Sequence, residues 1–331
     1  MKKITVISIV FIFALFCFIS CEKKPAAPEA GTAKAEDLLS LIPVNAQGVF
    51  CVDIHRAMST EVVNKSIKED KTYEKIEEFI EKTGIDPQKD IYFVVGAITA
   101  GAEPKKQKGV GIINLKYNKD TLLALAKEKA AEEEQELTEE EYNGIMIYAW
   151  KEEDGEGSLS FIDDSNIVVG NESEVKSVID VLQKRAENVS KNEDLSALIA
   201  KANKAAMFWG AILIPPEAME KAASENPFLS NLQAVNAISL YFDYKNRNIL
   251  TEIKVMSSDE AKNKQVADAI TGLKAFGAMA AAQKPEIGEL MDTIEISSGT
   301  DHVKIFASIP EELIIKLKDM KKEGEEEKED F

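Results

Sequence analysis

Ser173-Glu174-Val175-Lys176 sets a hydroxyl and an amine one helical turn apart, the spacing at which lysine can activate an acyl-transfer serine. Lys82-Thr83-Gly84 matches the K-T-G element that accompanies such a serine. Here the order of the two elements is reversed and no Ser-Asp-Asn occurs, so the pair does not build that site. Lys82-Thr83-Gly84 instead closes a predicted helix carrying Tyr73, Ile76, Phe79 and Ile80, with Gly84 as its C-terminal cap. The two histidines, His55 and His302, fall at no metal-binding spacing, and no G-x-S-x-G elbow accompanies them. Cys51 alternates with Val49 and Asp53 in a strand-like run and reads as a small buried hydrophobe.

Acidic loops are the next candidates. Glu152-Glu153-Asp154-Gly155-Glu156-Gly157 and Asp163-Asp164-Ser165-Asn166 supply the oxygens calcium favours, but neither follows the spaced D-x-D-x-D-G pattern. The first reads as a solvated hairpin turn, and the run from Glu132 to Glu141 as a charged helix end or loop. Gly109-Val110-Gly111 lacks a third glycine and opens no helix, so it is not a dinucleotide loop. Phe208, Trp209, Tyr241, Phe242, Tyr244 and Trp150 lie on predicted strands. They either fill the core or, sharing a groove, bind a peptide or glycan. No cofactor and no metal is expected, and the chain reads as a non-enzyme.

The formal charge of −18 over 331 residues excludes nucleic acid, whose phosphates require a basic footprint. It equally excludes a polybasic grip on anionic lipid. Residues 323–331 are acidic and lack apolar periodicity, which predicts a disordered tail.

Met1-Lys2-Lys3 precedes an almost wholly apolar run from Ile4 to Ile19, then Ser20-Cys21 and the charged Glu22-Lys23-Lys24. As a helix that run spans about 24 Å, short of the roughly 30 Å hydrocarbon core. It resembles a bacterial lipoprotein signal peptide, although Phe18 stands where that motif usually has an aliphatic residue. The resemblance implies removal of residues 1–20, lipidation of Cys21, and a place on the outer side of a bacterial membrane. An uncleaved membrane anchor and a secreted protein cut near Ser20 are the alternatives. Loss of Lys2 and Lys3 with the signal would take the charge from −18 to −20. Residues 21–35 then form the lipidated cysteine and a Pro/Ala-rich tether with a mean reach of roughly 20 Å.

The remainder reads as a duplication. Glu36-Asp37-Leu38-Leu39-Ser40-Leu41-Ile42 parallels Glu193-Asp194-Leu195-Ser196-Ala197-Leu198-Ile199, and an apolar strand follows each. Paired strands, a helix, further strands and a closing helix recur in the same order. Val175, Val178, Ile179 and Leu182 form one closing stripe; Leu313, Ile314, Leu317 and Met320 form the other. Asn171, Ser257 and Ser308 read as helix caps. Short turns such as Ser298-Gly299-Thr300-Asp301 favour antiparallel hairpins. The expected fold is α+β: two similar halves, 36–190 and 191–322, each a mainly antiparallel sheet with helices packed on one face.

Leu41-Ile42-Pro43-x-x-Ala46-x-x-Val49 is similar to a loosely defined group of bacterial envelope proteins of unknown function. That resemblance supplies no catalytic residues. The expected function is a lipid-anchored envelope lipoprotein, a non-catalytic binding or scaffold module. Its partners would be the membrane, through the lipid on Cys21, and an unknown envelope protein, peptide or glycan. An importer's substrate-binding lipoprotein is the alternative, and an envelope hydrolase a more remote one.

Overall fold

The computed structural model describes residues 34–61, 63–64, 72–99, 108–132, 135–152, 155–225, 233–257, 259–280, 284–318 and 320. Cys21, the apolar segment before it, nearly all of the tether and the 323–331 tail lie outside the described residues. Two compact units divide between Ala200 and Lys201.

Runs rich in valine, isoleucine and aromatic residues make most of the first unit's strands. They are β1 (Ala46–Asp53), β2 (Ile91–Thr99), β3 (Lys108–Leu115), β4 (Thr138–Tyr142), β5 (Ile145–Glu152), β6 (Gly155–Phe161) and β7 (Asn166–Gly170). Their order is β1-β2-β3-β7-β6-β5-β4, with every adjacent pair antiparallel. On one face Cys51, Val95, Ile112 and Val168 form a cross-strand row. The helix Glu172–Leu182 packs across β3, β7 and β6, burying Val175, Val178 and Ile179. On the other face Val94, Ile113, Ile167 and Leu159 meet Ile76 and Phe79 of the helix Thr72–Thr83 and Leu122 of the helix Lys119–Glu132.

The α+β class and the antiparallel pairing are as expected; the covering differs. Val110–Leu115 and all of β7 are buried at every position, so helices shield both faces at the centre of this sheet. Burying both faces of a strand demands an unbroken apolar run rather than alternation, and Ile167-Val168-Val169 is such a run. A second difference is β4, which occupies part of the acidic stretch expected to be loop or helix end. Asn143-Gly144, with φ of 53° and 82°, makes the left-handed turn that joins β4 to β5. Lys127–Glu139 at 2.8 Å and Lys176–Glu140 at 2.9 Å hold its carboxylates.

The second unit comprises β8 (Phe208–Leu213), β9 (Ala237–Lys245), β10 (Asn248–Met256), β11 (Ile294–Ser298) and β12 (His302–Pro310). Their order, β8-β9-β10-β12-β11, is antiparallel throughout and repeats β1-β2-β3-β7-β6 strand for strand. A helix follows the third strand in both units, Lys119–Glu132 and Glu260–Ala280, and a helix follows β7 and β12. The first unit adds the hairpin β4–β5. Val255, Val303 and Ile296 pack under Val266, Ala267 and Ile270 of Glu260–Ala280. That helix's apolar stripe does not stay covered: Leu273 is 49% exposed and Phe276, beside it, 71%.

The caps differ from expectation. Asn171 occupies the N-cap position, but its Oδ1 accepts from the Gly109 backbone N–H at 2.9 Å, tying the helix to β3. Asp259, not Ser257, caps Glu260–Ala280, accepting from Lys262 N–H at 3.0 Å. Ser308 lies inside β12, which runs on to Pro310. Among the described residues no helix is long and apolar enough to cross a membrane.

Candidate functional site

Thr251-Glu252-Ile253-Lys254-Val255 alternates along β10, so Ile253 and Val255 share one face and Glu252 and Lys254 the other. Register fixes their neighbours. Glu252 stands between Tyr241 of β9 and Phe306 of β12; Lys254 stands between Ser239 and Lys304. Two adjacent rows on one face therefore read Tyr241-Glu252-Phe306 and Ser239-Lys254-Lys304. Trp209 lies opposite Tyr241 at one side, and Glu295 and Ser297 lie opposite Phe306 and Lys304 at the other.

Lys254 Nζ meets Glu252 Oε1 at 3.0 Å, with the two side chains only 28% and 16% exposed. Lys304 is half-buried, and among the described residues its ammonium has no hydrogen bond or ion pair. Like charges directly opposite one another destabilise a sheet, and Glu252 offsets one of these two. Burial first, and then the Glu252 and Asp243 carboxylates, push the Tyr241 phenol above its ordinary pKa, which keeps its hydroxyl a proton donor.

The duplicated fold supplies an internal comparison. In each unit the helix after the third strand covers one face, and this site lies on the opposite one. In the first unit that opposite face carries the apolar row Cys51-Val95-Ile112-Val168. The same topology thus folds with hydrophobes there. Half-buried charge costs free energy that packing does not require. The arrangement offers an ammonium without a counter-ion, a phenol and two rings, which is the chemistry of recognition.

The aromatic residues expected on strands separate by register. Trp209 and Tyr241 share this face; Phe208 and Phe242 oppose each other on the other one, and Trp150 lies over Gly157 in the first unit. Ser173 and Lys176 are turned to different partners: Lys108 donates to Ser173 Oγ at 2.8 Å, while Lys176 pairs with Glu140 and Glu172. Lys82 pairs with Glu128 at 3.1 Å, Thr83 Oγ1 donates to Phe79 O, and Gly84 takes φ +72° as a helix-ending residue. His55 stacks on Tyr92 with ring centroids 5.9 Å apart, and His302 Nδ1 lies 2.7 Å from Asp301. Cys51 is buried in β1. Asp163 closes its own turn, accepting from Ser165 N–H and from Asn166 Nδ2. Among the described residues no three His, Cys, Asp or Glu side chains gather as a metal site. Sequence reasoning does not single out Glu252, Lys254, Lys304 and Phe306. The alternation in β10 is visible in the sequence, but the register that brings Lys304 opposite Lys254 is not.

Residues 52–288 match the family described as "Protein of unknown function (DUF3352)". No curated protein matches the chain. Among solved structures it is similar to crystal form III of TP0453, at 12% identity and a TM-score of 0.49, over 83% of this chain and 95% of that one. Crystal form I of TP0453 gives 12% identity and 0.45 over 83% and 94%; form IV gives 11% and 0.44 over 84% and 95%.

Proposed function

The chain belongs to DUF3352, a family of proteins of unknown function, and from that premise we propose a lipid-anchored envelope lipoprotein that binds or scaffolds rather than catalyses. The anchoring half of this reading rests on the residues around Cys21: a basic start, an apolar run too short to span, a small residue, and the cysteine. Diacylglyceryl attachment would bury two chains, enough for stable anchoring where one is not.

The binding half rests on one observation, the half-buried Tyr241, Glu252, Lys254, Lys304 and Phe306 on a face that is apolar core in the first unit. An importer receptor builds its lobes from parallel strands joined by crossovers, whereas adjacent strands within each unit here run antiparallel. No observation therefore favours that alternative.

Three measurements test the proposal. Cys21→Ala should abolish acyl labelling and release the protein from membranes; a variant that stays membrane-bound and unlabelled would support the uncleaved anchor instead. In-cell crosslinking from positions beside Lys304 should capture an envelope partner. A hydrolytic turnover lost on mutating a buried polar residue would overturn the non-catalytic reading.

A further inference from the structure

We infer that the Lys254–Lys304 face of the second unit binds an extended acidic peptide, a carboxylate seated between the two ammonium groups and an apolar side chain two residues along resting on Phe306. The inference deepens the binding role proposed above and depends on it. Three features carry it.

The first is charge. Lys304 stands directly opposite Lys254 and lacks a counter-ion among the described residues, in a chain whose formal charge is −18. A carboxylate between them relieves the repulsion and gains charge-assisted hydrogen bonds.

The second is spacing. The lysine row and the Tyr241/Phe306 row are two residues apart along each strand, which is about 6.5–7 Å. An extended peptide repeats its same-face side chains at that interval. An inorganic anion would satisfy the lysines and leave the Phe306 ring unused.

The third is what surrounds the pair. Glu252 and Glu295 both stand in the ring row next to the lysine row, so a polyanion carried along the strands from the lysines would meet two carboxylates, while a peptide with an apolar side chain at that position brings no second charge to them.

The test uses the full-length protein in detergent and a short peptide with neutral capped ends carrying Glu and Phe two residues apart, titrated by calorimetry. A peptide with Gln for Glu and inorganic phosphate serve as controls. Wild type should bind the Glu peptide at least tenfold more tightly than either control, and binding should weaken with salt. Lys304→Gln should lose about tenfold in affinity while melting no lower than wild type. Glu252→Gln, which frees Lys254, should bind severalfold more tightly. Equal affinity for the Glu and Gln peptides, phosphate binding as tight as the peptide's, or a Lys304→Gln variant that binds undiminished would each overturn the inference. An envelope partner still captured equally by wild type and Lys304→Gln would sink it while leaving the broader binding role in place.

Discussion

Phe50 in β1 stands directly opposite Gly96 in β2, and its ring occupies the space a side chain there would need. A Cβ on Gly96 would fall 2.2 Å from Phe50 Cζ, far inside contact distance. The ring itself packs on the buried face with Val94 and Ile113. Gly96→Ala should therefore destabilise the first unit by about 1–3 kcal/mol through overpacking. Pairing it with Phe50→Leu should recover part of that loss, a coupling readable from urea unfolding of the two single variants and the double. Strict additivity would show that the ring moves aside freely.

Gly170 and Gly84 both carry positive φ for different reasons, and substitution separates them. A Cβ on Gly170 would lie 2.3 Å from Gly109 O and 2.8 Å from Val110 Cα, both backbone atoms that cannot rotate away. A Cβ on Gly84 meets nothing within 4 Å, so only its left-handed φ of +72° resists replacement. Gly84→Ala should cost about 1 kcal/mol. Gly170→Ala should cost more than that, because β3 and β7 must part to admit it. Equal melting-temperature losses would contradict this ranking.

The strands legible in the sequence are those whose side chains state their own environment. Ile91–Thr99 follows directly from its β-branched run, and the β9–β10 hairpin from its turn residues Lys245-Asn246-Arg247-Asn248. β4 escapes such reasoning because Thr138-Glu139-Glu140-Glu141-Tyr142 carries no apolar face; its stability comes from partners, Lys127 and Lys176, that lie far off in sequence. The Asn143-Gly144 dipeptide is the available signal. Covering of both faces in the first unit is likewise written in Ile167-Val168-Val169, a run apolar on both of its sides. The lysine pair needs register across β10 and β12, which no local pattern encodes.

β4 also ends its sheet's strand order, and it is protected by charge. Glu139 and Glu141 lie opposite Tyr148 and Met146, both of which pack in the first unit's hydrophobic cluster. Replacing both with valine would extend that apolar face to an open edge, the geometry that recruits another chain. Glu139→Val/Glu141→Val should form concentration-dependent oligomers by light scattering while retaining wild-type far-ultraviolet circular dichroism. A variant that stays as monodisperse as wild type would remove the protective role.

Asp301 gives a pH dependence whose sign is fixed. The hydrogen bond to His302 first, and then Lys201, hold its carboxyl below the ordinary aspartate value. A carboxylate lowered on folding contributes stability that is complete above the unfolded pKa of about 3.9 and disappears as pH falls through the folded value. The group is largely solvated, so the contribution is a surface pair's few tenths of a kcal/mol. Asp301→Asn should be slightly less stable than wild type at pH 7 and indistinguishable from it at the acid end. A gap that widens as pH falls would reverse the assignment.

Glu311, only 3% exposed, ties the start of the 311–318 helix to the β9–β10 hairpin. Its Oε2 accepts from Tyr244 Oη at 2.7 Å and from Arg247 Nε at 3.3 Å, while its own N–H donates to Arg247 O at 2.9 Å. The hairpin turn places Arg247 with φ of 58°, so the backbone contact and the side-chain contact come from the same strained residue. Removing a donor from a buried carboxylate leaves its desolvation uncompensated. Tyr244→Phe should therefore cost about 1–3 kcal/mol in urea unfolding. Arg247→Lys, mostly exposed and keeping the charge, should cost less. Amide hydrogen exchange locates the effect: Tyr244→Phe should speed exchange in residues 311–318 and in β12 while leaving the first unit's β2 and β3 unchanged. Faster exchange in both units alike would mean that the contact supports global stability and does not fasten this helix.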